Sequence, residues 1–375
     1  MSERKQRESN LELFRIITML LIVAHHYVVN SGLTAQEGPI LSDPSSWKSI
    51  FLLLFGAWGK TGINCFVLIT GYFMCRSEIT LKKFVKFLFE VELYKVLIAF
   101  VFIISGYEQI SLKNIVLAIL PFRSIAQNFT GCYLIFFLCI PFLNVLIRNI
   151  TEKKHIYLIL IMCFIYIVIG TLPFFSVEMN YVSWFSVLFF IASYVRLYPK
   201  QVYNNKRLWC WATIVSVLLS VLSIIAFIKF GMTGNANEIY YFVSDSNKIF
   251  AVTTAFSAFM FFRNIEIQTS KFINTVALST FGVLLIHANS NTMRRWLWKD
   301  IIDCVGAYDS SWLVLHAIGS VVVIFAICTV IDILRIRFIE RPFFKLWDKY
   351  EERIVLVYKK YEDKICKKLH IEEEK

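Results

Sequence analysis

Asn10-Leu-Glu-Leu-Phe-Arg15-Ile-Ile-Thr-Met-Leu-Leu-Ile-Val-Ala-His25-His26 is an apolar run that carries an arginine and two adjacent histidines. About 20 predominantly apolar residues suffice for a helix to cross a bilayer. Ionisable groups inside such a segment are costly and mark function by default. Reading this stretch as a membrane helix decides the fold. Arg15 and His26 are eleven positions apart, and at about 100° per residue they return to one face, roughly 16 Å apart along the axis. Glu12 lies within about 40° of that stripe and His25 about 80° from it. Of the two histidines, His26 therefore stacks above Arg15. The run lacks the small-residue cleavage pattern of a removable signal peptide.

The rest of the 375 residues continues the pattern. The chain is 57% hydrophobic and 18% charged, against roughly 25% charged in soluble domains, which excludes a soluble or disordered protein. Apolar runs recur at 11–30, 49–74, 90–105, 131–147, 155–172, 183–197, 208–228, 249–262, 272–289 and 312–338. They predict an all-α, polytopic transmembrane helix bundle of about ten spans. Alternating the loops from an inner N-terminus puts 28 basic residues on the inner side and 8 on the outer. This bias places both termini in the cytoplasm and the chain in the cell membrane. It also accounts for the net charge of +12 without a nucleic-acid partner, since the charge is spread over loops instead of gathered on one stacking surface. The expected division is an integral membrane domain over 1–340 and a cytoplasmic tail over 341–375. In that tail Phe344, Trp347, Ile354, Tyr358 and Tyr361 fall at the near-helical spacing of an interfacial helix.

The nine cysteines include Cys65, Cys132, Cys139, Cys163 and Cys328 inside apolar runs, and these read as small core residues. Neither a Cys pair nor a Cys/His cluster has metal-ligand spacing, so no metal is expected. The first helix offers a guanidinium, suited to phosphate or carboxylate, and an imidazole, the natural base near neutral pH. The plain alternative is a snorkelling Arg15 and a satisfied buried His26. His287 closes the run Ala277 to His287, fifteen residues into its span, the depth at which His26 lies in the first. The two imidazoles either line one cavity or sit apart at the outer interface. In the second run, Gly59-Lys60-Thr61-Gly62-Ile63-Asn64 predicts a local break or a close backbone approach, and Gly62 and Gly71 equally suit helix packing through small residues. Lys82, Lys83 and Lys86 follow on the cytoplasmic side, where they are phosphate contacts or simply part of the charge bias.

Taken in order, these landmarks resemble the membrane-bound acyltransferase family 3, whose best-known members O-acetylate bacterial surface polysaccharides. Arg15 to His26 looks like the family's first helix. Phe66-Val-Leu-Ile-Thr70-Gly71-Tyr72 is similar to its Phe-x-x-Ser-Gly-aromatic motif with threonine for serine. Lys83-Phe-Val-Lys86 stands where arginines are usual, Phe281-Gly-Val-Leu-Leu-Ile-His287 has leucine where tyrosine is common, and Ile339-Glu340-Arg341-Pro342 resembles the closing Glu-Arg/Lys-Pro. The resemblance runs from about residue 10 to 345. It implies transfer of an acetyl group from cytoplasmic acetyl-CoA, as co-substrate, to a hydroxyl of a polysaccharide or lipid-linked glycan. It gives His26 the part of base or acyl carrier, and Arg15, Lys83 and Lys86 the anionic donor. Asn64, Thr70 and Gly71 would orient the site, and His287 would stand behind it or on the acceptor side. The rival from another class is a non-enzymatic exporter of lipid-linked sugar units, which needs the spans but not an arginine and a histidine in register.

Overall fold

Every one of the ten apolar runs folds as helix. The computed structural model describes residues 8–109, 129–175 and 177–368. Arg4, Lys5, Arg7, Lys113 and Arg123 of the charge count, and the last seven residues of the tail, lie outside them. The helices are α1 (Ser9–Val29), α2 (Trp47–Gly56), α3 (Gly59–Met74), α4 (Leu81–Ile104), α5 (Phe129–Asn149), α6 (Glu152–Cys163), α7 (Tyr181–Leu197), α8 (Lys206–Lys229), α9 (Ile249–Arg263), α10 (Lys271–Leu278), α11 (Thr280–His287), α12 (Asn291–Arg295), α13 (Leu313–Arg335) and α14 (Arg341–Lys368). Short polar residues set the starts. Ser46, Thr80, Thr151, Asn180, Asn205 and Ser270 each accept a hydrogen bond from the backbone N–H three residues on, satisfying a donor that the first turn leaves open.

Spanning length is a stricter test than helicity. Among the described residues five helical stretches are long and apolar enough to cross a membrane, and six if a sharply bent pair counts as one. They are Ser9–Val29, Trp47–Met74, Phe129–Asn149, Lys206–Lys229 and Leu313–Lys368, with Lys271–His287 plus Asn291–Ile301 as the bent pair. The other expected spans are helices of a different character. α7 and α9 are apolar but 17 and 15 residues long. α4 begins at Leu81, well before the apolar run, and carries Lys82, Lys83, Lys86, Glu90, Glu92 and Lys95. α6 widens into a π-helical turn at Phe164–Ile169. Large apolar side chains such as Phe100, Phe142, Trp211 and Leu315 point outward, as they do on a surface solvated by lipid and not by water.

The chain divides into two compact units, Met1–Thr329 and Val330–Lys375. In the first, α3 is the central helix and packs against α1, α7 and α9. Glycines permit its close approaches. A Cβ at Gly62 would lie 2.8 Å from Ile22 of α1, and one at Gly71 would lie 3.1 Å from both Ala192 and the Phe189 backbone of α7. The long second run does break, one residue pair earlier than the glycines suggested: α2 ends at Gly56, Ala57 and Trp58 intervene, and α3 starts at Gly59. Cys65, Cys132 and Cys328 are buried and Cys139 and Cys163 half-buried, all as free thiols. In the second unit, Arg335 pairs with Asp332 at 2.8 Å and with Glu340 at 2.6 Å. All three are buried, and α14 follows with an apolar stripe on a charged helix.

Candidate active site

The two intramembrane histidines that sequence depth paired are in contact. His26 Nδ1 lies 2.9 Å from His287 Nε2, and the rings are 5.0 Å apart. His287 is fully buried, and its Nδ1 lies 2.6 Å from the Val283 carbonyl oxygen one turn back on α11. A carbonyl oxygen only accepts, so His287 Nδ1 carries the proton and donates to it. In the neutral ring Nε2 is then the acceptor. His26 Nδ1 must supply the shared hydrogen, which leaves His26 Nε2 as an unprotonated lone pair. One backbone carbonyl thus fixes both tautomers and aims a base.

His25 points elsewhere. Its Nδ1 donates to the Gly56 carbonyl at 2.6 Å, and its ring fills the space above Gly59, where a Cβ would fall 2.2 Å from the ring. It joins α1 to the break between α2 and α3. Beyond α11 the chain folds back by 93° into α12 and the π-turn Trp296–Ile301, which returns Arg294 and Trp298 to the histidines. The Trp298 ring stands edge-on to His287 at 6.4 Å and to Tyr27 at 6.0 Å. Arg294 acts electrostatically on both His26 and His287, and its Nη2 donates to the Ala288 carbonyl at 3.3 Å. Arg294 Nε, Trp298 Nε1 and Asn30 Nδ2, the last one turn after His26, are buried donors without a protein partner. Buried donors in proteins are ordinarily satisfied, so those of Arg294 and Trp298, next to His287, mark a place for oxygen atoms. None of these three residues stood out in the sequence. Arg294 was counted there only as an outer-loop charge, although it follows His287 by seven residues.

The remaining expected residues take other positions. Asn64 is fully buried. It donates to the Ser246 carbonyl at 2.7 Å and accepts from Trp184 Nε1 at 2.8 Å, tying α3 to α7 and to the turn before α9. Thr70 shares a hydrogen bond of 2.8 Å with the Tyr133 hydroxyl, and Gly71 serves the α3–α7 approach. Arg15 pairs with Glu12 at 3.3 Å and lies over the Phe73 ring at 5.8 Å. Lys83 Nζ donates to Ser77 Oγ and to the Glu78 carbonyl, closing the turn into α4, with Lys86 one turn on. At the other end of α3, in its first turn beside His25, Lys60 reaches Tyr181 Oη at 2.8 Å and Asp245 at 3.3 Å. The structure therefore brings His26 and His287 together, keeps Arg15 at the far end of α1, and uses Asn64, Thr70 and Gly71 to hold helices to one another.

Comparison with known proteins adds the family. The profile of an acyltransferase domain matches residues 8–333, a stretch that holds both histidines, Arg15 and Arg294. No curated protein and no solved structure matches.

Proposed function

The chain belongs to acyltransferase family 3, and from that premise we propose that this membrane protein transfers an acetyl group from cytoplasmic acetyl-CoA to a hydroxyl of a polysaccharide or lipid-linked glycan at the cell surface. The observation that carries the reading is the relay from the Val283 carbonyl through His287 to His26. His26 Nε2 removes the proton of the acceptor hydroxyl as its oxygen attacks the thioester carbonyl. The positive charge that develops on His26 is shared through Nδ1–H with His287. Arg294 and the indole N–H of Trp298 are suited to stabilise the oxyanion of the tetrahedral intermediate, which is where buried, preorganised donors contribute most. On collapse, the proton held on His26 passes to the leaving CoA thiolate, so the base is regenerated. His287 is a positioning residue, because it acts through His26. Lys60, Tyr181 and Asp245 form a polar group next to the His25 end of α3 and fit the acceptor side, where donors and a carboxylate meet sugar hydroxyls.

The test is transfer of isotopically labelled acetyl from acetyl-CoA by the purified protein, with candidate glycans supplied. Label should leave CoA with wild type and fall by at least about a thousandfold with His26→Ala, while His26→Ala keeps the wild-type elution profile. Turnover that survives in His26→Ala would remove the base from this scheme. A wild type that transports glycan lipid but never releases CoA would favour an exporter.

A further inference from the structure

At the opposite end of α3 from the histidines, two arginines share one tyrosine. Tyr72 lies in the last turn of α3, Arg196 in the last turn of α7, and Arg263 closes α9. Arg196 stands over the Tyr72 ring at 4.4 Å and donates to its hydroxyl at 2.6 Å. Arg263 lies 5.9 Å from the same ring and its Nε donates to the same hydroxyl at 3.3 Å. The other nitrogens of Arg263 are held by the Tyr203 carbonyl and Asn204. Arg196 Nε is buried without a partner. Arg76 donates to the Arg196 carbonyl at 3.2 Å.

None of these three arginines has a carboxylate partner among the described residues. Three helix C-termini, those of α3, α7 and α9, meet here and supply roughly half a negative charge each. That is about −1.5 against three positive charges, so capping does not neutralise the cluster. Guanidinium forks held side by side with free donor capacity match the oxygens of phosphate.

We propose that Arg196 and Arg263, fixed on Tyr72 with Arg76 beside them, form a binding site for phosphate groups, occupied by the diphosphate or 3′-phosphate of the CoA donor. The identity of the donor rests on the acetyl-CoA reading above, but the phosphate chemistry does not. The spacing fits that donor. Tyr72 follows Gly59, which touches His25, by thirteen residues, or roughly 20 Å of helix. An extended pantetheine arm reaches roughly 16 Å, so phosphates on the arginines put the thioester near the imidazoles. The site also moves the phosphate role from Lys83 and Lys86 to arginines on three packed helices.

The experiment measures binding of CoA, inorganic pyrophosphate and pantetheine to the full chain in a neutral detergent free of anionic lipid, for wild type, R196Q, R263Q and a K83Q/K86Q control. R196Q and R263Q should weaken CoA and pyrophosphate by at least about tenfold, leaving pantetheine and the lysine control unchanged. Wild-type affinity for CoA and pyrophosphate in both arginine variants overturns the site. Should either variant unfold, Tyr72→Phe keeps the ring and deletes the shared hydroxyl; a several-fold loss supports the site and unchanged binding overturns it. A second arm places the proteins in discs with and without phosphatidylglycerol. If the variants lose stabilisation by that lipid yet bind CoA as wild type does, the phosphate belongs to a headgroup and the donor assignment falls. Acetyl transfer with an unaltered KM for acetyl-CoA in R196Q and R263Q would sink this site alone. Pyrophosphate binding that depends on them in a protein that never transfers acetyl would sink the acetyl-CoA reading alone.

Discussion

A hydrogen bond to one backbone oxygen decides which nitrogen of His26 is basic. With Val283 accepting from His287 Nδ1, the role of His287 is to present an acceptor to His26 Nδ1 at 2.9 Å, and any side chain that presents one there keeps the tautomer. His287→Gln, whose amide oxygen accepts, should retain a measurable fraction of kcat. His287→Leu should lose about a hundredfold, with KM for the donor little changed. Equal losses in the two would make the contact mere packing. Arg294 acts at a different step. Arg294→Gln removes the charge but leaves amide donors, and a fall in kcat of about a hundredfold with the KM for the donor little changed is expected of an oxyanion donor; a raised KM with kcat unchanged would place Arg294 in ground-state binding instead. His26 and His287 were legible as a pair at equal depth because both count fifteen residues into an apolar run. Their contact was not, because depth along a helix says nothing about which faces meet. Arg294 was illegible for a different reason: it lies past a 93° bend, and a sequence read as straight spans assigns it to an outer loop.

At the level of the helix, the break between α2 and α3 is the element that seats the first helix. Gly56 supplies a carbonyl that the helix no longer uses internally, and His25 takes it. Gly59 offers the missing side chain that lets the imidazole lie flat on the backbone. Gly59→Ala places a methyl where the His25 ring is, so something must shift, at a cost of about 1–3 kcal/mol. The expected result is a lower unfolding temperature in detergent, with partial recovery in Gly59→Ala/His25→Ala, which frees the space again. Additive losses in the double variant would show that the two do not share that space. The glycines around Lys60 foretold a break, and the sequence placed it within a few residues, since glycine spacing reports backbone approach. The start of α4 was misread for the opposite reason. Its first turns are charged, so hydropathy began the element near residue 90, whereas the Thr80 cap begins it at Leu81.

For the molecule as a whole, those segments of the first unit that the basic-residue count assigns to the inner side share one end of it. Asn10 donates to the carbonyls of Phe262 and Arg263 at 3.1 Å, Ser9 donates to Asn274 at 2.9 Å, and Tyr72 gathers Arg196 and Arg263. The start of α1, the ends of α3, α7 and α9 and the start of α10 therefore meet, while His26, Gly59 and the turn before α9 lie toward the other end. This is the arrangement that the proposed reaction would require, with cations at the end where a charged donor would enter and a base roughly one pantetheine arm away. The orientation is the one expected from the positive-inside bias, and it is open to direct measurement. An epitope inserted at Gly231, an exposed turn with φ +72° and open space around it, should be bound by antibody on intact cells. A green fluorescent protein fused after Lys375 should fluoresce, as it does only when it folds in the cytoplasm. An epitope at Gly231 reached only after permeabilisation would invert the bundle, put the arginine end outside, and cut the CoA phosphates off from the site proposed for them.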